Sequence, residues 1–191
     1  LLLGLLLCTA PAQAVDTYRF DTVHTQILFF ASHLGFSNSQ GEFLNFGGYF
    51  TFDESDFDKT RVSLTIDANS LDMDDEKWTR EMKGRKYFDV KRYPEIRFES
   101  TRVERTGRKS ARVHGNLTIR GITKPTVLGM RLNRAASHPL TRRYIAGFSG
   151  EGAVKRSEFG MTTALNWIGD EVRILLEVEG VLEQKIEEPV N

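Results

Sequence analysis

Imidazole is the commonest protein ligand for transition metals. The stretch DTVHTQILFFASH at residues 21–33 sets His24 and His33 nine positions apart around the apolar run Ile27, Leu28, Phe29, Phe30 and Ala31. A zinc site wants three or four converging ligands, commonly at short spacing. These two histidines have opposite parity, so a regular strand points them to opposite faces. His114 belongs to the polar face of an alternating run, and His138 precedes Pro139 in a loop-like stretch. No metal site is expected. The acids Asp72, Asp74, Asp75 and Glu76 lack the spacing and central glycine of an EF-hand and read as helix-start residues. DESDFD at 53–58 reads as a solvated turn. The run GFSGEG at 147–152 carries glycines without the strand-to-helix setting of a phosphate loop. Around His114 there is neither a nucleophile elbow nor a carboxylate partner. No catalytic residue and no cofactor are expected, and the chain is not read as an enzyme.

The ends and the composition narrow the class. LLLGLLLCTAPAQA at 1–14 reads as the later part of a signal peptide, cut short at its start, with an A-x-A cleavage step at Ala12 and Ala14. Cleavage after Ala14 would leave one exported domain over 15–191. The apolar stretch is far below the roughly 20 residues of a membrane span, so no stable span is expected. Cys8, the single cysteine, would leave with the leader. The 26 basic and 26 acidic residues cancel, so net charge gives no sign of nucleic acid as a partner. The 13 phenylalanines suggest a large apolar interior or cavity.

Apolar residues recur mostly at every second position, the strand period. Val62, Leu64 and Ile66 show it, as do Val113, Leu117 and Ile119 with Gly115 on their apolar side. Leu128, Met130 and Leu132 follow, then Val172, Ile174, Leu176 and Val178. Leu44, Phe46, Phe50 and Phe52 do the same around Gly47 and Gly48, a pair that marks a bulge or sharp bend. With the runs near 18–20, 27–34, 96–103 and 144–154, eight or nine strands are expected, an antiparallel barrel or sandwich. One segment breaks the rule. Its acids, the Trp78–Met82 pair and the closing Gly84 predict a helix over 74–83, with Trp78 and Met82 toward the barrel. The run 27–34 is apolar on both parities, so it is read as a strand buried on both faces, the outer one under a helix or another subunit. The acidic end after Leu182 is expected to fray.

At this point the order of motifs becomes informative. YRFDTVHTQILFFASHLGFSNSQGEF holds an Asp-x-x-His step at Asp21 and His24, a second histidine, and Gly-x-Phe at Gly41 and Phe43. An aspartate-led helix, Phe88-Asp89-Val90 and the Tyr93 to Ser100 step follow; then come GNLTIRGITKPTVL and KRSEFGM. Four such elements in register over nearly the whole chain after the leader resemble the YceI-like family. The resemblance implies an all-β fold, an extended eight-stranded antiparallel lipocalin-like β-barrel with one inserted α-helix. It also implies a periplasmic protein whose interior holds a polyisoprenoid or similar long-chain lipid, quinone-like or amphiphilic, with homodimers frequent. The basic step Arg85-Lys86-Tyr87 departs from the shorter, less basic step of many relatives.

Parity and side-chain type give the lining of such a tunnel. On the early strands these are Phe29, Phe36, Leu64 and Ile66, and on the helix and after it Trp78, Met82, Phe88 and Phe98. Leu117, Ile119, Leu128 and Met130 continue the set, and Phe148, Phe159, Trp167, Ile174 and Leu176 close it. Each is equally readable as ordinary core, since eight-stranded barrels can fill with side chains alone. Arg156, Ser157, Glu158 and Asn166 could form a polar end for a head group, or a turn held by an arginine–carboxylate pair. Two other functions stand beside the carrier: a filled-barrel interaction or dimer module, and a histidine-dependent metal or redox accessory protein. A carrier would serve lipid transport, isoprenoid supply or the envelope stress response.

Overall fold

The computed structural model describes residues 15–183. The expected leader at 1–14 and the acidic end at 184–191 lie outside the described residues. The strands are β1 Thr17–Phe20, β2 Gln26–His33, β3 Ser37–Phe43, β4 Phe46–Thr51, β5 Arg61–Asp67, β6 Leu71–Asp72, β7 Glu95–Arg105, β8 Ser110–Ile119, β9 Ile122–Ser137, β10 Tyr144–Lys155 and β11 Ile168–Leu182. Among the described residues one α-helix, α1, spans Glu76–Lys83. Among the described residues no helix is long and apolar enough to cross a membrane.

The order β1-β4-β5-β7-β8-β9-β10-β11, closed by pairing of β1 with β11, makes an eight-stranded antiparallel barrel. β11 is long enough to take two partners along one edge. Its last residues pair with β1, Phe20 opposite Gly180, and its first part pairs with β2, Ile174 opposite Phe29. Beyond β2 the wall continues through β3 to β6, and α1 packs beside β6. The upper end of the barrel carries the connections at 52–60, 106–109 and 138–143. The lower end carries those at 34–36, 120–121 and 156–167.

Local chemistry explains most element bounds. α1 starts two residues later than the predicted helix because Asp75 is its cap, accepting from Trp78 N–H at 2.8 Å, while Asp74 sits at φ +58°. Trp78 and Met82 pack on the barrel core. Gly47 and Gly48 stay in regular register with β5, and Gly48 supplies the bend at φ +131°. A true bulge lies in β7 between Ser100 and Arg102. It moves the inward parity from Ile96 and Phe98 to Val103, all three buried. The polar strand β3 was not expected, nor was the two-residue β6. In β2, Ile27 and Phe29 face inward, whereas the outward Phe30 is half-buried, its cover the Arg173 guanidinium of β11 at 5.0 Å. After Leu182, Glu183 N–H still donates to Thr17 O at 2.8 Å, and its carboxylate pairs with Arg19.

Two groups of aromatic rings form inside. Tyr18 stacks on Phe50 at 5.1 Å, and Phe148 stands edge-on to Phe50 and Phe52, with Phe57 beside Phe52. Lower down, Phe29, Phe43 and Phe88 form a triangle with centroids 5.6–6.0 Å apart. Such pairs add about 0.5–1.5 kcal/mol each beyond their area. Inward glycines make space for the rings: a Cβ at Gly180 would collide with Phe50, one at Gly115 with Phe98 and one at Gly41 with Phe29. Gly180→Ala should therefore cost about 1–3 kcal/mol by urea unfolding. Gly47→Ala, where a Cβ meets nothing within 4 Å, should change stability by less than about 0.5 kcal/mol; equal effects at the two sites would contradict this packing.

Candidate functional site

The barrel encloses an apolar cavity of about 220 Å³. Thirteen of the residues expected to line a tunnel are on its wall: Phe29, Leu64, Ile66, Met82, Phe88, Phe98, Leu117, Ile119, Leu128, Met130, Phe148, Ile174 and Leu176. They share it with Phe50, Phe52, Phe57, Val103, Ala111, Val113 and Met161, among others. The alternation had already placed Phe50, Phe52 and Val113 on an apolar face. Phe57 had no such signal. It sits in the DESDFD stretch read as a solvated turn, yet that stretch forms the 3-10 turn Phe57–Lys59, and Phe57 is buried with Arg105 4.5 Å from its ring.

Four expected lining residues lie off the wall. Phe36 is 89% exposed and Trp167 64% exposed. They belong to lower-end turns tied together by Leu34 N–H donating to Trp167 O at 2.7 Å, and residues in such turns have no strand parity to turn them inward. Phe159 is fully buried, but in the 3-10 turn Arg156–Phe159 beneath the barrel. Trp78 packs from α1 against the core without reaching the cavity.

Of the four residues expected at a polar end, Arg156 is on the cavity wall and also clamps the lower turn together. Arg156 is 4% exposed. Its Nε donates to Gly169 O, its Nη1 to Met161 O and Thr163 O, and its Nη2 to Ile168 O, at 2.8–2.9 Å. Four carbonyls from one irregular segment thus hold it in place, and no carboxylate lies within ion-pair distance among the described residues. The arginine–carboxylate pair is therefore not formed: four donors go to backbone carbonyls, while Arg156 itself lies on the cavity wall. Ser157 donates from its N–H and hydroxyl to Asp170 at 2.9 and 2.8 Å. The backbone bond from Ser157 does most to hold the Asp170 carboxyl below its ordinary range. Glu158 and Asn166 are exposed and off the cavity wall.

His24 and His33 are kept apart by the length of β2, His24 lying outside any strand. His33 ends β2 at the lower end, while His24 sits in the β1–β2 turn. Its Nδ1 lies 3.0 Å from Asp21, which also accepts from Val23 and His24 N–H; this pairing raises the His24 pKa. Ligand atoms of Asp21, His24 and Glu179 lie within 4.8 Å of one another, close enough to hold a cation. Glu179 escaped notice in the sequence because its closeness depends on β11 folding back beside the turn. Burial foremost, then the nearby Asp16, pushes the Tyr18 phenol up to about 12.

A closed antiparallel barrel, one packed helix and an apolar interior define a lipocalin-like barrel with room inside. Residues 18–180 match the YceI-like domain. A UPF0312 protein of Yersinia pestis strain Pestoides F is 36% identical over 181 residues, covering 94% of this chain and 93% of that protein. The chain belongs to the YceI-like family. Among solved structures, Burkholderia cenocepacia BcnA has a TM-score of 0.77 at 23% identity, covering 84% of this chain and 98% of that one. A polyisoprenoid binding domain from Saccharophagus degradans, implicated in plant cell wall breakdown, has a TM-score of 0.66 at 13% identity, covering 89% and 100%.

Removing the clamp should be severe, because four carbonyls lose their donor at once. Arg156→Leu is expected to lose about 3 kcal/mol or more by chemical denaturation, whereas Phe36→Ser should stay within about 0.5 kcal/mol of the parent. Asp170 gives a pH signature. Its folded pKa lies below the ordinary 3.8, so its stabilisation is complete above that value and is lost as pH falls through the lower folded one. Asp170→Asn should melt a few degrees lower than the parent at pH 7, with the gap closing below pH 3.8; a gap constant with pH would rule out the ionised acceptor.

Proposed function

We propose that this protein is a non-catalytic periplasmic carrier that holds the tail of a polyisoprenoid or other long-chain lipid in the barrel. The observation that carries the proposal is the shape and chemistry of the cavity. Its wall follows β8 from Ala111 to Ile119, roughly 26 Å along the strand at about 3.3 Å per residue. Its volume of about 220 Å³ is below the roughly 300–1,000 Å³ of common small-molecule pockets. A small volume spread over such a length favours one thread-like chain over a compact ring compound. Each methylene moved there from water gains about 0.8 kcal/mol, so ten of them outweigh any single polar contact. Met82 and Met130 on the wall can change rotamer to widen it at low cost.

With four of the Arg156 donors on backbone and the rest of the wall almost wholly apolar, recognition falls mainly on the chain's length and cross-section. The polyisoprenoid binding domain with the same barrel supports an isoprenoid chain. The periplasmic part rests on the leader-like residues 1–14.

The experiment is native mass spectrometry of protein purified from its own host, with solvent extraction of whatever it holds. A long-chain species at one per protein is expected. Protein that remains empty after incubation with polyprenyl lipids would mean a barrel packed shut. Ala111→Trp, which fills the upper channel, should keep the β-sheet circular dichroism and lose the lipid.

A further inference from the structure

The charge of this chain is neutral in sum but unevenly distributed. Between Arg105 and Gly150 there is no aspartate or glutamate, while ten lysines and arginines fall in that interval. β8, β9 and the first half of β10 are neighbours in the sheet, so the interval forms one continuous side of the barrel. Seven of the ten lie toward its upper end: Arg105, Arg108, Lys109, Arg131, Arg134, Arg142 and Arg143, all exposed. None has a carboxylate within ion-pair distance among the described residues.

Two further features meet there. Of the residues lining the cavity, Lys109 is the exposed one, so the channel comes to the surface beside this rim. The neighbouring β9–β10 loop projects Leu140, 86% exposed, next to Arg142, Arg143 and Tyr144. That loop is built: His138 N–H donates to Arg143 O at 2.8 Å, and His138 Nδ1 accepts from Leu140 and Thr141 N–H at 3.2 and 3.1 Å. An apolar prong held outward among cations is the pattern of a bilayer-surface contact. At the same end, beyond Arg105, which lies over Phe57, Asp53, Glu54, Asp56 and Asp58 sit on the β4–β5 connection, where Lys59 pairs with Asp53 and Asp56. The end is thus polarised, and an anionic surface would attract one side and repel the other.

The geometry points to a docking rim for anionic phospholipid membranes: the basic upper edge of β8–β10 seats on the headgroups, Leu140 enters the interface, and the channel beside Lys109 faces the bilayer from which its lipid comes. This rests on the carrier reading above. A bilayer is favoured over an acidic protein partner because the prong is one exposed leucine in a loop that also carries Arg142 and Arg143, not an apolar patch that a protein surface would bury.

Flotation of the full chain with vesicles tests it. Binding is expected to phosphatidylcholine vesicles containing phosphatidylglycerol, to be weak on phosphatidylcholine alone, and to fall as salt screens the charges. Each basic residue near such a surface contributes about fivefold in partition. The pair Arg142→Glu and Arg143→Glu should therefore lose well over tenfold, with melting temperature and lipid loading unchanged. The same charge reversal on α1, Lys77→Glu with Arg80→Glu, should change little. Leu140→Ser should lower binding to both vesicle types. Equal binding to the two vesicle types, or an undiminished Arg142/Arg143 variant, overturns the rim while leaving lipid loading as a separate result. No binding to either vesicle type also overturns it and hands the rim to an acidic protein. Salt-sensitive vesicle binding by a protein that never loads lipid would sustain the rim and overturn the carrier.

Discussion

Closure of the sheet through β1 and β11 is the constraint on which the rest depends. An open sheet with this much apolar surface would expose both the interior and an unpaired edge. The closing contact is short, Tyr18 to Phe20 against Gly180 to Leu182, and it needs a residue without a side chain at Gly180. There Phe50 occupies the space a Cβ would take, and Tyr18 stacks on Phe50. β11 can accept β1 on one part of its edge and β2 on another because the chain turns sharply between them. That turn is held by Asp21 N–H on Glu179 O at 2.8 Å and by Thr25, whose hydroxyl bonds the backbone of Glu179 in both directions.

A closed barrel can still be solid, and the difference here lies in how side chains are distributed over the strands. Where a large ring points inward, a facing strand often presents glycine: Phe98 over Gly115, Phe29 over Gly41. These rings thereby lie against the wall, while Phe148 meets Phe50 and Phe52 across the upper interior, and the remaining space runs beside them. The lower end is closed by backbone gathered around Arg156, a buried cation that four carbonyls satisfy in hydrogen bonding. At the upper end Arg105 lies over Phe57 and donates to Gly107 O and Arg108 O, while the exposed Lys109 brings the cavity wall to the surface. Closed below and reaching the surface above, the interior acquires a direction.

Much of this was legible one residue at a time. Strand alternation is a local property, so Val62, Leu64 and Ile66, or Val113, Leu117 and Ile119, announce their inner face without any knowledge of partners. The family, too, could be read from motifs in register. β3 stayed hidden because its inward position at Gly41 carries no apolar side chain and its outward residues are polar. Phe36 and Trp167 misled because aromatic type suggests the interior, whereas both stand in turns that face solvent. Past the bulge in β7, a reader counting by twos would have chosen Ser100 and Arg102 over Val103.

The sequence by itself determined an all-β barrel with an aromatic interior, one helix in its place and the parity of its regular strands, because these follow from chain chemistry within a few residues. Only the tertiary structure decided that Arg156 is spent on carbonyls, that Phe57 lies under Arg105, and that Glu179 stands beside His24. It also decided that the cations between residues 105 and 143 share one rim. Each of these depends on which distant segments the closed sheet brings side by side, and strand pairing is set by the whole ring, so no local window of residues contains it.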